Sequence, residues 1–271
     1  MEITKIDFEK FVPAFTDATE EVYNKVKSAI DQQLLETTML FGTGYESRLA
    51  DVQIAKKAVS MGAAYRVFTQ MDLVLTPTGF GIVRNDHLTP ASRERTDALR
   101  EDLRQQHSML LDMILDQLLH TEWRDSTEAA RLTDGLLYSP TMLRRYGVKT
   151  PQGGRIFHEE MQSLASALAE SAAKVELAIS PELYADLVAK QRNEAGMEPE
   201  EIIVLEAARK YQAALLTTGY PRAAVELHKR LERLLEQYST NLTAYVESST
   251  YAANHAERYE NKQEDPTFFF C

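Results

Sequence analysis

Apolar side chains recur every three or four residues along most of the chain, which is the spacing that places them on one face of an α-helix. Val22, Val26, Ile30 and Leu34 form one such stripe, and Gly42 follows its last turn. Stripes of this kind are core faces far more often than cofactor sites, so we expect the helices to pack on one another. The first set of predicted helices covers residues 18–41, 51–72 and 89–120.

A second set of helical stripes follows and repeats the order of the first. The segment 204–216 resembles 55–70 in its pattern of residues, and 180–188 resembles 44–52. Self-similarity of this kind predicts a tandem duplication, and hence an all-α bundle made of two related helical sets. The predicted helices of the second set cover residues 155–178, 181–194, 199–218 and 221–250.

The predicted organisation has four parts: a first helical set at 1–122, a connector at 123–154, a second helical set at 155–255 and an extended C-terminal arm at 256–271. The connector is rich in turn-forming residues, with one short helix at 140–146 that Ser139 caps and Gly147 ends. Trp123, the only tryptophan, lies at the start of the connector. We expect it to anchor the connector; the alternative is a hot spot in an interface.

One segment, DLVLTPTGFGIV at residues 72–83, breaks the helical spacing. Two short apolar runs flank a Thr-Pro-Thr-Gly sequence, whose proline and glycine suit a tight turn, so the segment predicts a β-hairpin. We expect this hairpin to project and to pack on a neighbouring molecule; the alternative is an ordinary surface hairpin. The predicted contact residues are Leu75, Pro77, Phe80 and Ile82.

The arm contains a second unusual segment, NKQEDPTFFFC at residues 261–271. Pro266 prevents a helix from continuing and favours an extended chain towards Phe268, Phe269 and Phe270. Burial of one phenylalanine contributes about 1.5–3 kcal/mol before the cost of ordering the chain, so three are able to anchor a flexible segment. We therefore predict that Pro266 and the three phenylalanines bind a partner. The alternative is a tail that folds back on its own core or frays.

Charge and composition restrict the function. The net charge is −11, and both halves contain more acidic than basic residues, which disfavours a protein that grips DNA phosphates but permits a channel through which DNA slides. Cys271 is the only cysteine, so no disulfide forms within the chain. The N-terminus lacks a signal-peptide pattern and no apolar run approaches about 18 residues, so we expect a soluble protein made in the cytoplasm, without a membrane partner.

Patterns that indicate catalysis or cofactor binding are few. No two of the six histidines have the spacing of four that puts two metal ligands on one helix face, and no HExxH, G-x-S-x-G or Walker sequence occurs. Gly79 and Gly81 match half of a dinucleotide-binding fingerprint, but Arg84 takes the place of its third glycine. We therefore predict no catalytic residues, no metal and no cofactor, and a protein that is not an enzyme.

Three stretches resemble a known family when they are taken together: FEKFVP at 8–13, the segment 63–119 with its hairpin sequence LTPTGFGIV and the following PAS, and the segment 136–168. They are similar to uncharacterised phage and prophage proteins of Bacteroides-type bacteria. That family in turn looks like the helical head-to-tail adaptors, or connectors, of tailed phages. The resemblance covers most of residues 5–250.

The resemblance implies a structural virion protein in the phage neck, between capsid and tail. An adaptor of this kind is made in the bacterial host cytoplasm and forms a homo-oligomeric ring, a dodecamer, under the portal protein. It also binds stopper or tail proteins, and DNA passes non-specifically through its channel. This chain is about twice as long as a minimal adaptor, which leaves the role of the second helical set open. The alternative function is that of a monomeric helical protein-binding or regulatory module.

Overall fold

The computed structural model of the protein describes residues 1–15, 20–68, 73–76, 79–82, 93–149, 158–217 and 221–256. Most of these residues are helical, as the spacing of apolar residues predicts. The chain divides into two compact units, residues 1–166 and 167–271.

The first unit is built from helices joined by short turns. Turns of 3-10 helix lie at Pro13–Phe15, Tyr45–Arg48 and Glu122–Asp125. Its α-helices are α1 (Lys5–Phe11), α2 (Glu20–Phe41), α3 (Val52–Val67), α4 (Arg93–Leu119), α5 (Thr127–Leu132) and α6 (Pro140–Arg145).

Two short antiparallel strands lie within the segment 72–83. They are β1 (Leu73–Thr76) and β2 (Gly79–Ile82), with Leu73 opposite Ile82 and Thr76 opposite Gly79. Whether they project and bind a neighbour stays a prediction. Of the predicted contact residues, Pro77 lies outside the described residues, and the side chains of Leu75, Phe80 and Ile82 are not described.

Helix α3 forms the centre of the first unit and packs against α1, α2 and α4. A Cβ atom on Gly62 would lie 2.8 Å from side-chain atoms of both Gln33 on α2 and His107 on α4. Nδ1 of His107 lies 2.8 Å from the carbonyl oxygen of Ala58 on α3. The three helices therefore meet at Gly62, where a larger side chain would force them apart.

The described residues of the predicted connector, 123–149, belong to the first unit. Leu136, Leu137, Leu143 and Val148 are buried there. The predicted short helix is α6, and its cap is confirmed because the hydroxyl of Ser139 accepts a hydrogen bond from the N–H of Met142. Sequence reasoning missed α5, which precedes it.

Helix α7 (His158–Ile179) begins in the first unit and ends in the second. A single helix over 221–250 was predicted, and this prediction is wrong. The chain leaves the helix after Gln237, where Ser239, Thr240 and Asn241 form a 3-10 turn, because side chains of this type compete for backbone hydrogen bonds. The helices after α7 are α8 (Pro181–Lys190), α9 (Pro199–Leu216), α10 (Pro221–Gln237), α11 (Thr243–Val246) and α12 (Ser249–Asn254).

Helices α3 and α9 bury side chains in the same register. Seven buried positions of α3 have buried counterparts in α9 at a constant spacing of 146 residues, as from Ala55 to Glu201 and from Val67 to Ala213. The α3 set is Ala55, Ala58, Val59, Met61, Gly62, Ala63 and Val67; the α9 set is Glu201, Val204, Leu205, Ala207, Ala208, Arg209 and Ala213.

A pair of tyrosines extends this register. Tyr65 and Tyr211 have the same spacing, and each contacts the eighth residue of the helix that follows. The guanidinium of Arg100 on α4 lies 5.1 Å from the ring centre of Tyr65, and the ring of His228 on α10 lies 5.3 Å from that of Tyr211. The helix pairs α3–α4 and α9–α10 thus have matching side-chain patterns.

The helix pair α9–α10 differs from α3–α4 because it buries a charged side chain. Arg209 occupies the position that corresponds to Ala63, and its guanidinium is almost fully buried. Nη1 lies 2.9 Å from Oε1 of Glu194, and Nη2 donates to Oε1 of Gln191 at 3.1 Å. A buried cation needs such partners to offset its lost hydration.

Ser180, between α7 and α8, combines backbone strain with a helix cap. Its φ of 103° and ψ of 148° cost a residue with a side chain about 1–3 kcal/mol, whereas glycine adopts them freely. Its hydroxyl accepts a hydrogen bond from the N–H of Leu183 at 3.1 Å. Glycine at this position gives up the cap, at a cost of only a few tenths of a kcal/mol by comparison with other caps, and removes the strain.

We expect Ser180→Gly to raise the free energy of unfolding by about 1 kcal/mol. Ser180→Ala keeps the strain and loses the cap, so it should lower the same quantity by about 1 kcal/mol. Urea unfolding followed by circular dichroism measures both variants. Equal destabilisation by the two substitutions would show that Ser180 is not strained.

Candidate interaction surface

The C-terminal end of α2 is held by residues from the connector region. Gly42 ends the helix with a φ of 86°, a conformation that favours glycine, and its N–H donates to the carbonyl of Thr38 at 2.8 Å. The last carbonyl groups of a helix have no partner within the helix. Here, three of these carbonyl groups accept hydrogen bonds from the side chains of Trp123 and Arg131, which lie 82 or more residues further along the chain.

Trp123 supplies the central contact. Its indole N–H donates to the carbonyl of Phe41 at 2.8 Å, and the residue is only 2% exposed. The ring centre lies 6.2 Å from that of Phe41, which in turn lies 5.4 Å from that of Tyr45. The prediction that Trp123 anchors the connector is confirmed.

Arg131 binds the neighbouring carbonyl groups. Its Nη2 donates to the carbonyl of Met39 at 2.9 Å and to that of Leu40 at 3.3 Å. Its positive charge complements the negative end of the helix dipole. Because Arg131 is an exposed residue, a cation lies at the surface beside the end of α2.

Glu128 completes this end of α2. Its side chain lies 3.3 Å from the position of a Cβ on Gly42, so it covers the glycine. The pKa of Glu128 lies below its ordinary value, because the carboxylate is hydrogen-bonded by its own backbone N–H and by the hydroxyl of Thr127, and lies close to Arg131. Glu128 therefore remains ionised at neutral pH.

Two apolar side chains next to this end are exposed to solvent. Leu35 is 60% exposed and Met39 is 67% exposed, and their spacing of four residues places them side by side on α2. Glu36 of α2 forms an ion pair nearby with Arg66 of α3. We call Leu35 and Met39 the α2 apolar face.

The inner side of α2 buries polar side chains. Gln33 and Thr37 are buried there, and the hydroxyl of Thr37 donates to the carbonyl of Gln33 at 2.6 Å. The helix thus buries polar side chains while it exposes Leu35 and Met39. Contiguous exposed apolar side chains mark many surfaces that bind other molecules, so we take Leu35 and Met39 as the candidate interaction surface.

A second exposed pair lies on α4. Met109 is 54% exposed and Met113 is 46% exposed. Asp112 and Asp116 follow them at a spacing of three residues, so each methionine has a carboxylate as its neighbour on the helix. We call Met109 and Met113 the α4 methionine pair. The carboxylate of Asp112 is paired with the guanidinium of Arg144 at 3.2 Å.

Sequence reasoning did not identify either exposed pair. The signal was present for α2, because Leu35 and Met39 fall outside the stripe of Val26 and Ile30, but a stripe alone does not tell core from surface. Of the predicted arm, Pro266, Phe268, Phe269 and Phe270 lie outside the described residues. The structure therefore places no predicted contact residue of the arm or hairpin on a surface.

Among the residues that the structure describes, no three His, Cys, Asp or Glu side chains are grouped so as to hold a metal ion. Within those residues, no helix has the length and apolar character needed to span a bilayer.

Comparison with known proteins gives one match. Residues 14–132 match the model of DUF6712, a family of unknown function. The matched segment is less than half of the chain and ends at the last residue of α5, so it includes the α2 apolar face and the residues that bind the end of α2. No curated protein and no solved structure matches the chain.

Proposed function

We propose that this protein is a structural head-to-tail adaptor of a phage neck. In this function, copies of the chain form a ring under the portal protein, bind stopper or tail proteins, and surround the channel through which DNA passes. The chain performs no catalysis in this role. The proposal rests on the resemblance of three sequence stretches to such proteins, and the observation that carries it furthest is the exposed α2 apolar face.

The fold is compatible with this function. Ring-forming adaptors are helical, and the described part of this chain is mostly helical. We propose further that its two units contain related helical sets, with β1 and β2 as a projecting hairpin on the first. The shared register of α3 and α9 and the matching tyrosine contacts support the relation.

The α2 apolar face supports an assembled state. Leu35 and Met39 expose apolar area that contact with another protein would remove from water, at about 25 cal/mol per Å² buried. The aromatic cluster at Phe41 and the contacts of Trp123 and Arg131 fix the end of α2, so the face is presented on a rigid support. Pre-ordered surfaces lose less entropy when they bind.

The charge of the protein is consistent with a DNA channel. A channel wall must let phosphates pass and must not hold them, and a net charge of −11 disfavours binding to phosphate groups. Which surface faces the channel is open in this proposal, as is the number of copies, for which we adopt the dodecamer that the resemblance implies.

Electron microscopy of phage particles tests the function. A particle produced with an affinity tag on this protein, decorated with an antibody to the tag, should show the antibody between capsid and tail. Antibody elsewhere on the particle, or protein absent from purified particles, would overturn the proposal. The mass of the protein mixed with portal protein distinguishes the alternative, because a regulatory module would remain monomeric.

A further inference from the structure

Both ring nitrogens of His255 face hydrogen-bond acceptors. We propose that His255 is a proton-dependent clasp, which in its doubly protonated form holds the end of α12 against α10. Because α12 is the last helix that the structure describes, the clasp fixes the point from which the chain continues into the predicted arm. The clasp lies within the second unit and does not depend on the proposed function.

The ring of His255 joins the end of α12 to α10. Nδ1 lies 3.0 Å from the carbonyl oxygen of Tyr251, which also accepts the backbone N–H of His255 at 3.0 Å. Nε2 lies 3.2 Å from Oε2 of Glu236 on α10. The side chain of His255 is 35% exposed and that of Glu236 is 69% exposed, so protons reach the pair directly from solvent.

The two partners of the ring only accept hydrogen bonds. A carbonyl oxygen has no hydrogen to donate, and neither has an ionised carboxylate, the form that carboxyl groups ordinarily take above about pH 5. A neutral imidazole carries a hydrogen on one nitrogen and a lone pair on the other, so it satisfies one contact and places its lone pair against the second oxygen. The imidazolium donates from both nitrogens. The geometry at His255 therefore matches the protonated ring.

Aromatic contacts hold the ring in this orientation. It stacks on the ring of Tyr251, with ring centres 3.9 Å apart and an angle of 23° between the planes. Tyr251 in turn meets Tyr245 of α11 edge to face at 5.3 Å, and Tyr245 is buried. An aromatic face attracts a cation, so the stacking also favours the imidazolium.

The titratable groups that face the ring favour a positive charge on it. They are Glu236 from α10, Tyr251 from α12 and, behind Tyr251, Tyr245 from α11. Burial raises the pKa of Tyr245, so this residue stays uncharged at neutral pH. His255 also directly follows the last residue of α12, where the partial negative charge of a helix end stabilises a cation.

The other charged residues of α10 near Glu236 have contacts of their own. Nε of Arg233 donates to the carbonyl of Lys229 at 3.2 Å. Oε1 of Glu232 lies 3.9 Å from Nδ1 of His228, which is too far for a hydrogen bond. Protonation of His228 therefore makes or breaks no hydrogen bond there, so His228 is a natural control for His255.

Protonation of His255 thus controls the attachment of α12. Histidine is the side chain whose charge ordinarily changes between about pH 5 and pH 8. At the acidic end of this range both ring nitrogens donate, and α12 is held on α10. As the pH rises, the ring loses one proton and with it one of its two hydrogen bonds. The stabilisation is present at the lower pH and lost at the higher pH.

Amide hydrogen exchange of the full-length protein, followed by NMR, measures this attachment. The backbone N–H groups of Ala252 and His255 donate within α12 and its cap, and that of Glu247 donates at the end of α11 and serves as the reference. Protection factors are compared at about pH 5.5 and about pH 8, after division by the intrinsic exchange rate at each pH. We expect the protection of the α12 amides relative to Glu247 to be about three to ten times larger at the lower pH.

Three substitutions at exposed side chains identify the groups responsible. Glu236→Gln should abolish the pH dependence, because a glutamine amide offers the neutral ring a donor and the protonated ring an acceptor. His255→Arg carries its positive charge at both pH values and should give high protection at both. His228→Gln is the matched control on α10 and should leave the pH dependence unchanged.

The clasp would be overturned if the relative protection of Ala252 and His255 were the same at both pH values. A pH dependence that persisted in Glu236→Gln would overturn it as well, because the carboxylate would then have no part in the effect. Loss of the pH dependence in His228→Gln would assign the effect to the other histidine, with the same consequence. A parallel change at Glu247 would show that α12 does not respond separately from α11, and would also refute the clasp.

Discussion

Replacing Trp123 with alanine should lower the free energy of unfolding by about 3–5 kcal/mol, the range found for removal of a buried aromatic side chain. The residue is 2% exposed and packs against Phe41, so its loss leaves a cavity at the end of α2. It also leaves the carbonyl of Phe41 without its donor. Both effects act on the same helix end, and urea unfolding followed by circular dichroism measures their sum.

Trp123→Phe separates the two contributions. Phenylalanine keeps most of the apolar volume but has no N–H, so the carbonyl of Phe41 loses its hydrogen bond while the packing largely remains. A buried polar group without a partner costs about 1–3 kcal/mol, which sets the expected loss for this variant. If Trp123→Ala unfolded at the same urea concentration as the native protein, the contacts of Trp123 would contribute nothing to stability and the expected loss would be refuted.

The helices were predictable because their signal is local. The spacing of Val26 and Ile30 indicates a helix without knowledge of its partners, and the cap at Ser139 follows from residue type alone. The end of α10 was missed because the apolar pattern continues past Gln237: Leu242 and Tyr245 are buried after the turn, at positions that a continuous helix would also make apolar.

The candidate surface was harder to predict because it depends on contacts between distant parts of the chain. Trp123 and Arg131 bind the end of α2 from positions 82 and 92 residues away, and no local pattern reveals that pairing. Exposure is likewise a property of the packed unit: the inner side of α2 buries Gln33 and Thr37, which no stripe of apolar residues predicts.

The segment that matches DUF6712 lies within the first unit. It spans α2, both strands and the residues that hold the end of α2, whereas the second unit lies outside it. If the two units contain related helical sets, the second has changed its core chemistry, since Glu201 and Arg209 are buried at the positions that correspond to Ala55 and Ala63. We therefore expect the determinants of assembly to lie mainly in the first unit and in the arm.

Deletion of residues 266–271 should leave the protein folded but reduce its incorporation into phage particles at least about tenfold. Loss of about 1.4 kcal/mol of binding free energy suffices for a tenfold change, and burial of even one phenylalanine contributes about 1.5–3 kcal/mol. The deleted residues lie beyond α12, so the helical content measured by circular dichroism should be unchanged. Quantitative immunoblotting of purified particles measures incorporation.

The control is Lys262→Ala with Gln263→Ala, which alters the same arm but leaves the phenylalanines in place. This variant should be incorporated normally. Normal incorporation of the truncated chain would show that the arm has no part in assembly.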